Sequence, residues 1–557
     1  MRKKSKVFAA TLAIAAMLLA ACGKEQTGAE PTDVPEVTQA PEPTATSAPT
    51  ATPEPTKAPE PTEEPEPTPK PLEEQLAEMT LSETLKKFGT DTPLMTQRFG
   101  ADPCALVYDG RVYIYMTADT IEYSYKTPKD NSYSKINTLN VISSDDLVNW
   151  TDHGSIYAAG RDGAAKWGGN SWAPAAACKE IDGQMKFFLY FANGGNGIGV
   201  LTADSPTGPF KDPIGKALIS RSTPNCGNVD WLFDPAVLMD DDGSAYIYFG
   251  GGVPAGKAAN PGTGRVAKLG DDMISLATEP VAIDIPYLFE DSGINKVGDT
   301  YVYSYCTNWN VSAEATKEYG FTNANIAYMI SDNPMGPFTY EGVVLKHPGS
   351  YFAGDYNNNH HAIFEFNGEW YITYHTRILA AGKGVAGLNY RSTHITKLNL
   401  NEEGLFETVK KADCNSLVQQ KYLNPFEQVE AETMATMGGL DTTQEGMISK
   451  TYGSGNMVLT DIQTGDWAAL YGVDFGETGA TKFTASVKAE KGTVGAIQIR
   501  LDEPEGEVVG CLEIGKDADG KNYQEITAEL SKTVTGVHNL IFVFCGEDYT
   551  VDYWQFQ

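Results

Sequence analysis

Between residues 100 and 400 the chain repeats one pattern of apolar and polar positions. A carboxylate, a tryptophan or a histidine opens an apolar run. A glycine-containing turn follows, and aromatic and β-branched residues carry the chain back. Asp102-Pro103-Cys104-Ala105-Leu106-Val107 turns at Asp109-Gly110 and returns as Val112-Tyr113-Ile114-Tyr115. Trp172-Ala173-Pro174-Ala175 turns at Asp182-Gly183 and returns as Phe187-Phe188-Leu189-Tyr190. Trp231-Leu232-Phe233-Asp234-Pro235-Ala236-Val237 turns at Asp242-Gly243 and returns as Ala245-Tyr246-Ile247-Tyr248-Phe249. Glu290-Asp291-Ser292-Gly293 turns near Gly298 and returns as Tyr301-Val302-Tyr303, and His361-Ala362-Ile363-Phe364 turns at Asn367-Gly368 and returns as Trp370-Tyr371-Ile372-Thr373-Tyr374.

Recurrence of one hairpin at a near-constant interval predicts radial repetition. A second motif is interleaved with it: Ile142-Ser143-Ser144-Asp145, then Thr202-Ala203-Asp204-Ser205-Pro206, then Ile330-Ser331-Asp332-Asn333-Pro334. A hairpin plus one further strand pair makes a four-stranded blade. The expectation is therefore an all-β chain with a five-bladed β-propeller over residues 89–420. Symmetry then brings Asp102, Trp172, Asp234, Glu290 and His361 to one mouth as equivalent residues of the innermost strands.

The two ends differ from this repeat. Arg2-Lys3-Lys4 and the apolar run Val7 to Ala20 predict a signal peptide over residues 1–22, the run being too short for a membrane span. Leu19-Ala20-Ala21-Cys22 resembles a bacterial lipobox. That likeness implies cleavage before Cys22 and a lipid anchor holding the protein on the extracellular face of the cell membrane. Residues 23–88 are Pro/Thr/Glu-rich, which predicts a disordered stalk extending about 3.1 Å per residue where it is polyproline. Helical periodicity at Leu72 to Lys87 leads into the first blade. After Asn424-Pro425, residues 425–557 hold short alternating runs between glycine turns, a β-sandwich pattern.

Lys and Arg number 42 against 73 Asp and Glu, a net charge of -31. That balance argues against nucleic acid and anionic partners and suits a neutral substrate. With Cys22 lipidated, seven cysteines remain and none forms a C-x-x-C pair, so structural zinc is not expected. Cys511 and Cys545 share a region and could pair, but buried free thiols are the default.

Three carboxylates drawn together cannot all stay ionised at ordinary pH. One protonated acid and one ionised base across a bond is the arrangement that hydrolyses glycosides. Phe99-Gly100-Ala101-Asp102-Pro103, Ser171-Trp172-Ala173-Pro174, Trp231 to Ala236 and Leu288-Phe289-Glu290-Asp291-Ser292-Gly293 resemble the active-site strands of glycoside hydrolase family 43. Residues 95 to 400 are most similar to its arabinoxylan arabinofuranohydrolases, through Asn149-Trp150-Thr151-Asp152-His153-Gly154, Phe188 to Asn193 and Asn358-Asn359-His360-His361-Ala362.

The resemblance implies an exo-acting, inverting hydrolase that releases arabinofuranose side chains from arabinoxylan. Asp102 matches the general base, Glu290 the general acid, and Asp234 the carboxylate that raises the pKa of the acid and orients it. Trp172 is a candidate sugar platform or plain core. Arg391 matches a last-blade arginine that reaches the sugar. His361 matches an axial histidine beside a bound calcium or its water shell, the alternative being a hydrogen-bonded histidine without metal.

In residues 425–557, Val429-Glu430-Ala431-Glu432, Gly465-Asp466-Trp467 and Val551 to Phe556 resemble carbohydrate-binding module family 6. That implies structural calcium at Glu430, Glu432 and Asp552, while Trp467 is a sugar platform or core. A monomer with no redox or nucleotide cofactor is expected. Two alternatives stay open: a β-xylosidase or arabinan-degrading hydrolase of the same fold, and a non-catalytic glycan-binding lipoprotein.

Overall fold

The computed structural model describes residues 70–86, 92–355, 357–412, 417–445 and 456–557. The signal segment, the lipobox with Cys22, the stalk before residue 70 and Cys414 lie outside the described residues. No helix among the described residues is long and apolar enough to cross a membrane.

The repeat folds into five antiparallel sheets in chain order. The first joins Ala101–Tyr108, Arg111–Thr117, Thr138–Ser144 and Trp150–Tyr157, and the second Trp172–Ile181, Gln184–Ala192, Gly197–Ala203 and Ile219–Ser220. The third joins Ala236–Met239, Ala245–Phe249, Arg265–Lys268 and Val281–Ala282. The fourth joins Leu288–Val297, Thr300–Thr307, Ile326–Ser331 and Thr339–Leu345, and the fifth His361–Phe366, Glu369–Thr376 and Ser392–Leu398. At Asp109-Gly110, Asp182-Gly183 and Asn367-Gly368 both residues have positive φ, which matches the right-handed twist of the paired strands.

Alternation along the strands buries both sheet faces against neighbours. Phe187 and Leu189 pack with Tyr115 and Val141 between sheets one and two; Tyr190 and Val200 pack with Ile247 and Phe249 between two and three. Tyr248 and Val266 meet Tyr303 and Met329 between three and four, and Ile326 meets Ile372 and Tyr374 between four and five. Phe364, Phe366 and Tyr371 then meet Val112, Ile114 and Met116, so the fifth sheet packs on the first.

The C-terminal residues form two sheets around one core. One contains Asp441–Glu445, Asn456–Thr460, Tyr549–Phe556, Ala480–Ala489 and Gln524–Val534; the other contains Thr436–Gly438, Trp467–Asp474, Val537–Cys545, Gly495–Leu501 and Val508–Ile514. Phe483, Trp554 and Phe556 from the first interdigitate with Leu540, Phe542 and Phe544 from the second. Thr433–Met434, from the same C-terminal stretch, pairs with Trp150 and Thr151 and so becomes the fifth strand of the first sheet of the repeat.

The helix expected over Leu72 to Lys87 stops early. Only Leu72–Glu78 is helical, and Met79 is already extended. The reason is tertiary. Met79 and Leu81 pack on Trp467, Ile541 and Val543, the Ser82 N–H donates to the Gly465 carbonyl at 2.9 Å, and Thr84 bridges to Gly438. A short helix is marginal by itself, so docking decides where it ends. The six described cysteines, Cys511 and Cys545 among them, are free thiols.

Candidate active site

Breaks in pairing at the starts of the first strands shape the site, and at three of them the break falls at a proline. Asp102, Ala173 and Asp234 each precede a proline, which cannot donate to a ladder. Pairing therefore skips: Ala101 faces Thr117, and the next paired residue is Cys104, opposite Tyr115. Trp172 and Ala175 flank the same gap in the second sheet, Glu290 and Gly293 in the fourth. The first residue inside each gap has positive φ: 48° at Asp102, 38° at Ala173, 47° at Asp234 and 69° at Asp291. Aspartate tolerates that conformation better than most residues, and a bulge re-aims its side chain.

The N–H groups at these positions cross to the preceding sheet. Ala173 donates to Thr117 Oγ1 at 2.8 Å, Asp291 to Asp234 Oδ2 at 2.9 Å and His361 to Asp291 Oδ2 at 3.1 Å. Asp102 donates to His375 Nδ1 at 3.2 Å, joining the first sheet to the fifth. Equivalence is therefore one residue off the expectation. Asp102, Ala173, Asp234 and Asp291 correspond, and Trp172 and Glu290 each stand one position earlier. Both positions reach the centre because the bulge splays consecutive side chains.

They converge on a cavity of about 280 Å³. Asp102, Asp234 and Glu290 line it together, with Trp172, Phe233, Phe289, Trp309, Asn358, His360 and Arg391. The three acids are nearly inaccessible. Burial by itself would push the Asp102 carboxyl up. The Arg391 guanidinium, then His360 and His375, outweigh burial and hold it well below the usual carboxylate range. Arg391 Nη1 donates to Asp102 Oδ1 at 2.6 Å, while its Nε and Nη2 grip Asp119 at 2.9 and 2.8 Å. It also lies over the Tyr133 ring, 4.9 Å from the centroid. Tyr133 O accepts the Trp172 indole N–H at 3.0 Å, which fixes that wall.

Across the cavity the bias reverses. Burial pushes Glu290 up to about 8, against a hydrogen bond from Asn358 Nδ2 to its Oε1 at 2.8 Å. Burial and the neighbouring Glu290 and Asp102 charges raise Asp234 well above its ordinary value. Negative charge settles on Asp102 and protons on the Asp234–Glu290 side.

The family model for glycosyl hydrolases family 43 matches residues 91–406. This chain belongs to glycosyl hydrolase family 43. The model for carbohydrate binding module family 6 matches residues 430–557. An arabinoxylan arabinofuranohydrolase of Bacillus subtilis (strain 168) is 48% identical, over 86% of this chain and 94% of its own. One from Paenibacillus polymyxa is 47% identical, over 84% and 74%. A crystal structure of a family 43 arabinoxylan arabinofuranohydrolase from Bacillus subtilis, in complex with cellotetraose, superimposes with TM-score 0.79 at 46% identity, covering 86% of this chain and 99% of that one.

Within the family 43 domain, the histidine that reaches the cavity is His360, not His361. His361 is buried behind it with both ring nitrogens engaged, Nδ1 with Asp291 Oδ2 at 2.6 Å and Nε2 with Ser304 Oγ at 2.7 Å. Neither ring nitrogen is left to ligate a cation directly. His360 Nε2 lies 3.1 Å from Asp291 Oδ1, and its Nδ1 lies 3.5 Å from Asp102 Oδ1 and 4.0 Å from Asp234 Oδ2. Asp291 is thus a fourth central carboxylate, which burial pushes up to about 7. His375, Asp119 and Asn358 had no signal in the repeat.

In the family 6 module, Trp467 is not a sugar platform. It is buried, and its indole N–H donates to Ser82 O at 2.8 Å beneath Met79 and Leu81. Among the described residues no three His, Cys, Asp or Glu side chains gather closely enough for a metal cluster. Glu430, Glu432 and Asp552 nonetheless repel one another. Burial pushes Glu432 up to about 10, with Glu430, Asp152 and Asp552 adding to it, and its Oε2 has no hydrogen-bond partner among the described residues.

Proposed function

We propose that the cavity removes α-L-arabinofuranose side chains from arabinoxylan by single-displacement, inverting hydrolysis at the blade-lined mouth of a five-bladed β-propeller. The observation that carries this is the opposed protonation bias around one cavity: Asp102 held ionised, Glu290 held protonated. Trp172 offers its indole to the sugar face. Asp102 accepts a proton from the attacking water while Glu290 gives its own to the departing xylose oxygen. Asp234 keeps a proton on its side of the cavity, and Arg391 keeps charge on the other.

Glu430, Glu432 and Asp552 carry oxygen donors of the kind a hard cation such as calcium takes, and drawing together around it would offset their mutual repulsion and leave Glu432 ionised. Residues 425–557 are read as a β-sandwich module, and Cys22 as the lipid attachment that places the enzyme outside the cell.

Incubation with arabinoxylan, linear xylan and arabinan, followed by identification of the released sugar and its anomer, tests the proposal. β-Arabinose from arabinoxylan alone is expected. Xylose from linear xylan points to a xylosidase instead, and α-arabinose as first product refutes inversion. Glu290→Gln should lower arabinose release by roughly 10²–10⁴-fold while polysaccharide is still bound; unchanged release removes Glu290 from the acid role.

A further inference from the structure

We infer that Arg377 is a positioning residue for this reaction: by gripping the amide oxygen of Asn358 it makes the amide nitrogen, and not the oxygen, meet Glu290. The inference rests on the proposed role of Glu290 as proton donor.

Arg377 follows the Glu369–Thr376 strand and is not among the cavity walls. Its backbone N–H donates to Asp355 Oδ2 at 2.8 Å and its Nη1 to Asp355 Oδ1 at 3.1 Å, and Asp355 is itself buried. With the guanidinium locked, Nη2 reaches Asn358 Oδ1 at 2.5 Å and Nη1 reaches the Asn358 carbonyl at 3.4 Å. Asn358 Nδ2 then lies 2.8 Å from Glu290 Oε1. An asparagine amide has nearly the same shape when flipped, so its partners choose its orientation. Arginine can only donate. The amide oxygen must therefore face Arg377, and the NH2 must face Glu290.

That choice has two consequences for the acid. Glu290 Oε1 accepts an N–H, so the proton to be transferred sits on Oε2. The same N–H stabilises the carboxylate left behind after transfer. A flipped amide would present an acceptor, draw the carboxylic O–H toward Asn358, and hold the proton away from the leaving oxygen. Asp355, Arg377 and Asn358 thus form one line of hydrogen bonds ending on the donor.

The test uses the full chain and two substrates that differ in leaving group. Arabinoxylan departs as an alkoxide that needs protonation, whereas an aryl arabinofuranoside departs with little help. Arg377→Met is expected to lose kcat on arabinoxylan by at least about tenfold more than on the aryl glycoside. The alkaline limb of its kcat/KM profile should move to higher pH. Arg377→Lys should recover part of both effects.

A purely structural defect would lower both substrates equally and leave the limb in place, and that result overturns the inference. If Arg377→Met does not fold, Asn358→Leu decides, because it removes the amide and leaves the Arg377–Asp355 pair intact. Glu290→Gln is measured alongside. Selective loss in Glu290→Gln, with none in Arg377→Met or Asn358→Leu, refutes the positioning role and leaves the acid role standing. No selective loss in any of the three removes both.

Discussion

Arg391→Met tests what keeps the base of the reaction charged. In the native protein one guanidinium serves two buried carboxylates, at 2.6 Å to Asp102 and at 2.8 and 2.9 Å to Asp119. Arg391, Asp102 and Asp119 are each 5% exposed, so solvent cannot take the place of the lost cation. Deleting one partner of such a group costs about 3–5 kcal/mol. At about 2 °C per kcal/mol for a domain of this size, the melting temperature should fall by about 6–10 °C at pH 7. The folded variant can relieve the repulsion only by protonating a carboxylate, so the Asp102 pKa must rise.

Asp102 is depressed in the parent, so its contribution to stability is present above the unfolded carboxylate pKa and fades as pH falls through the folded value. The melting gap between parent and variant should therefore narrow below about pH 4. In a pH–rate profile on an aryl arabinofuranoside, the acid limb of kcat/KM should move upward into the measurable range. Arg391→Lys keeps a charge but not the fork, and should fall between the two. If Arg391→Met melts within about 1 °C of the parent and the acid limb does not move, Arg391 is not what holds Asp102 ionised.

Three further outcomes are expected. The kcat/KM of the native enzyme should fall with rising pH through about 8 as Glu290 loses its proton, and a plateau continuing past pH 9 contradicts the protonated-acid assignment. Trp467→Ala should destabilise the C-terminal module by about 3–5 kcal/mol in calorimetry and leave hydrolysis of a small aryl glycoside unchanged; lost xylan retention at unchanged stability would restore its role as a platform. In chelator, the module should become less stable as pH rises from about 4.5 towards 10, because the unfolded chain ionises Glu432 while the folded one keeps it protonated. Added calcium should stabilise it more at pH 8 than at pH 5, and chelation that leaves the module's melting unmoved at pH 8 counts against the metal.

The hairpins were legible because their signals are local: Asp-Gly and Asn-Gly turns between runs of period two need no tertiary information. The three acids were legible because Asp-Pro opens two of those runs and Glu290 opens another. What failed was parity. In an extended strand, an error of one residue moves a side chain to the opposite face, and that is how His361 was chosen over His360. The early end of the helix at Glu78 and the burial of Trp467 are one fact seen from two sides, a contact between residues near 80 and residues near 467. Nothing local in either segment encodes it. Nor could Arg377, Asp355 and Asn358 be read as a line, since they lie on the fifth sheet's loops and only folding joins them to Glu290.

Bulge and chemistry have a common cause in this site. The bulge residue at the start of a sheet's first strand leaves its ladder, re-aims its side chain, and frees an N–H that finds its acceptor on the preceding sheet. Where such an N–H meets a carboxylate, as Asp291 meets Asp234 and His361 meets Asp291, the packing of the sheets already places acids around the cavity. Their burial, together with the charge of neighbouring acids, raises their proton affinity. Asp102 differs, because its neighbours on the side of the fifth sheet are His375 and Arg391 instead of another acid. That one change of partner separates an ionised group from a protonated group around a single cavity, and hydrolysis by inversion requires that separation.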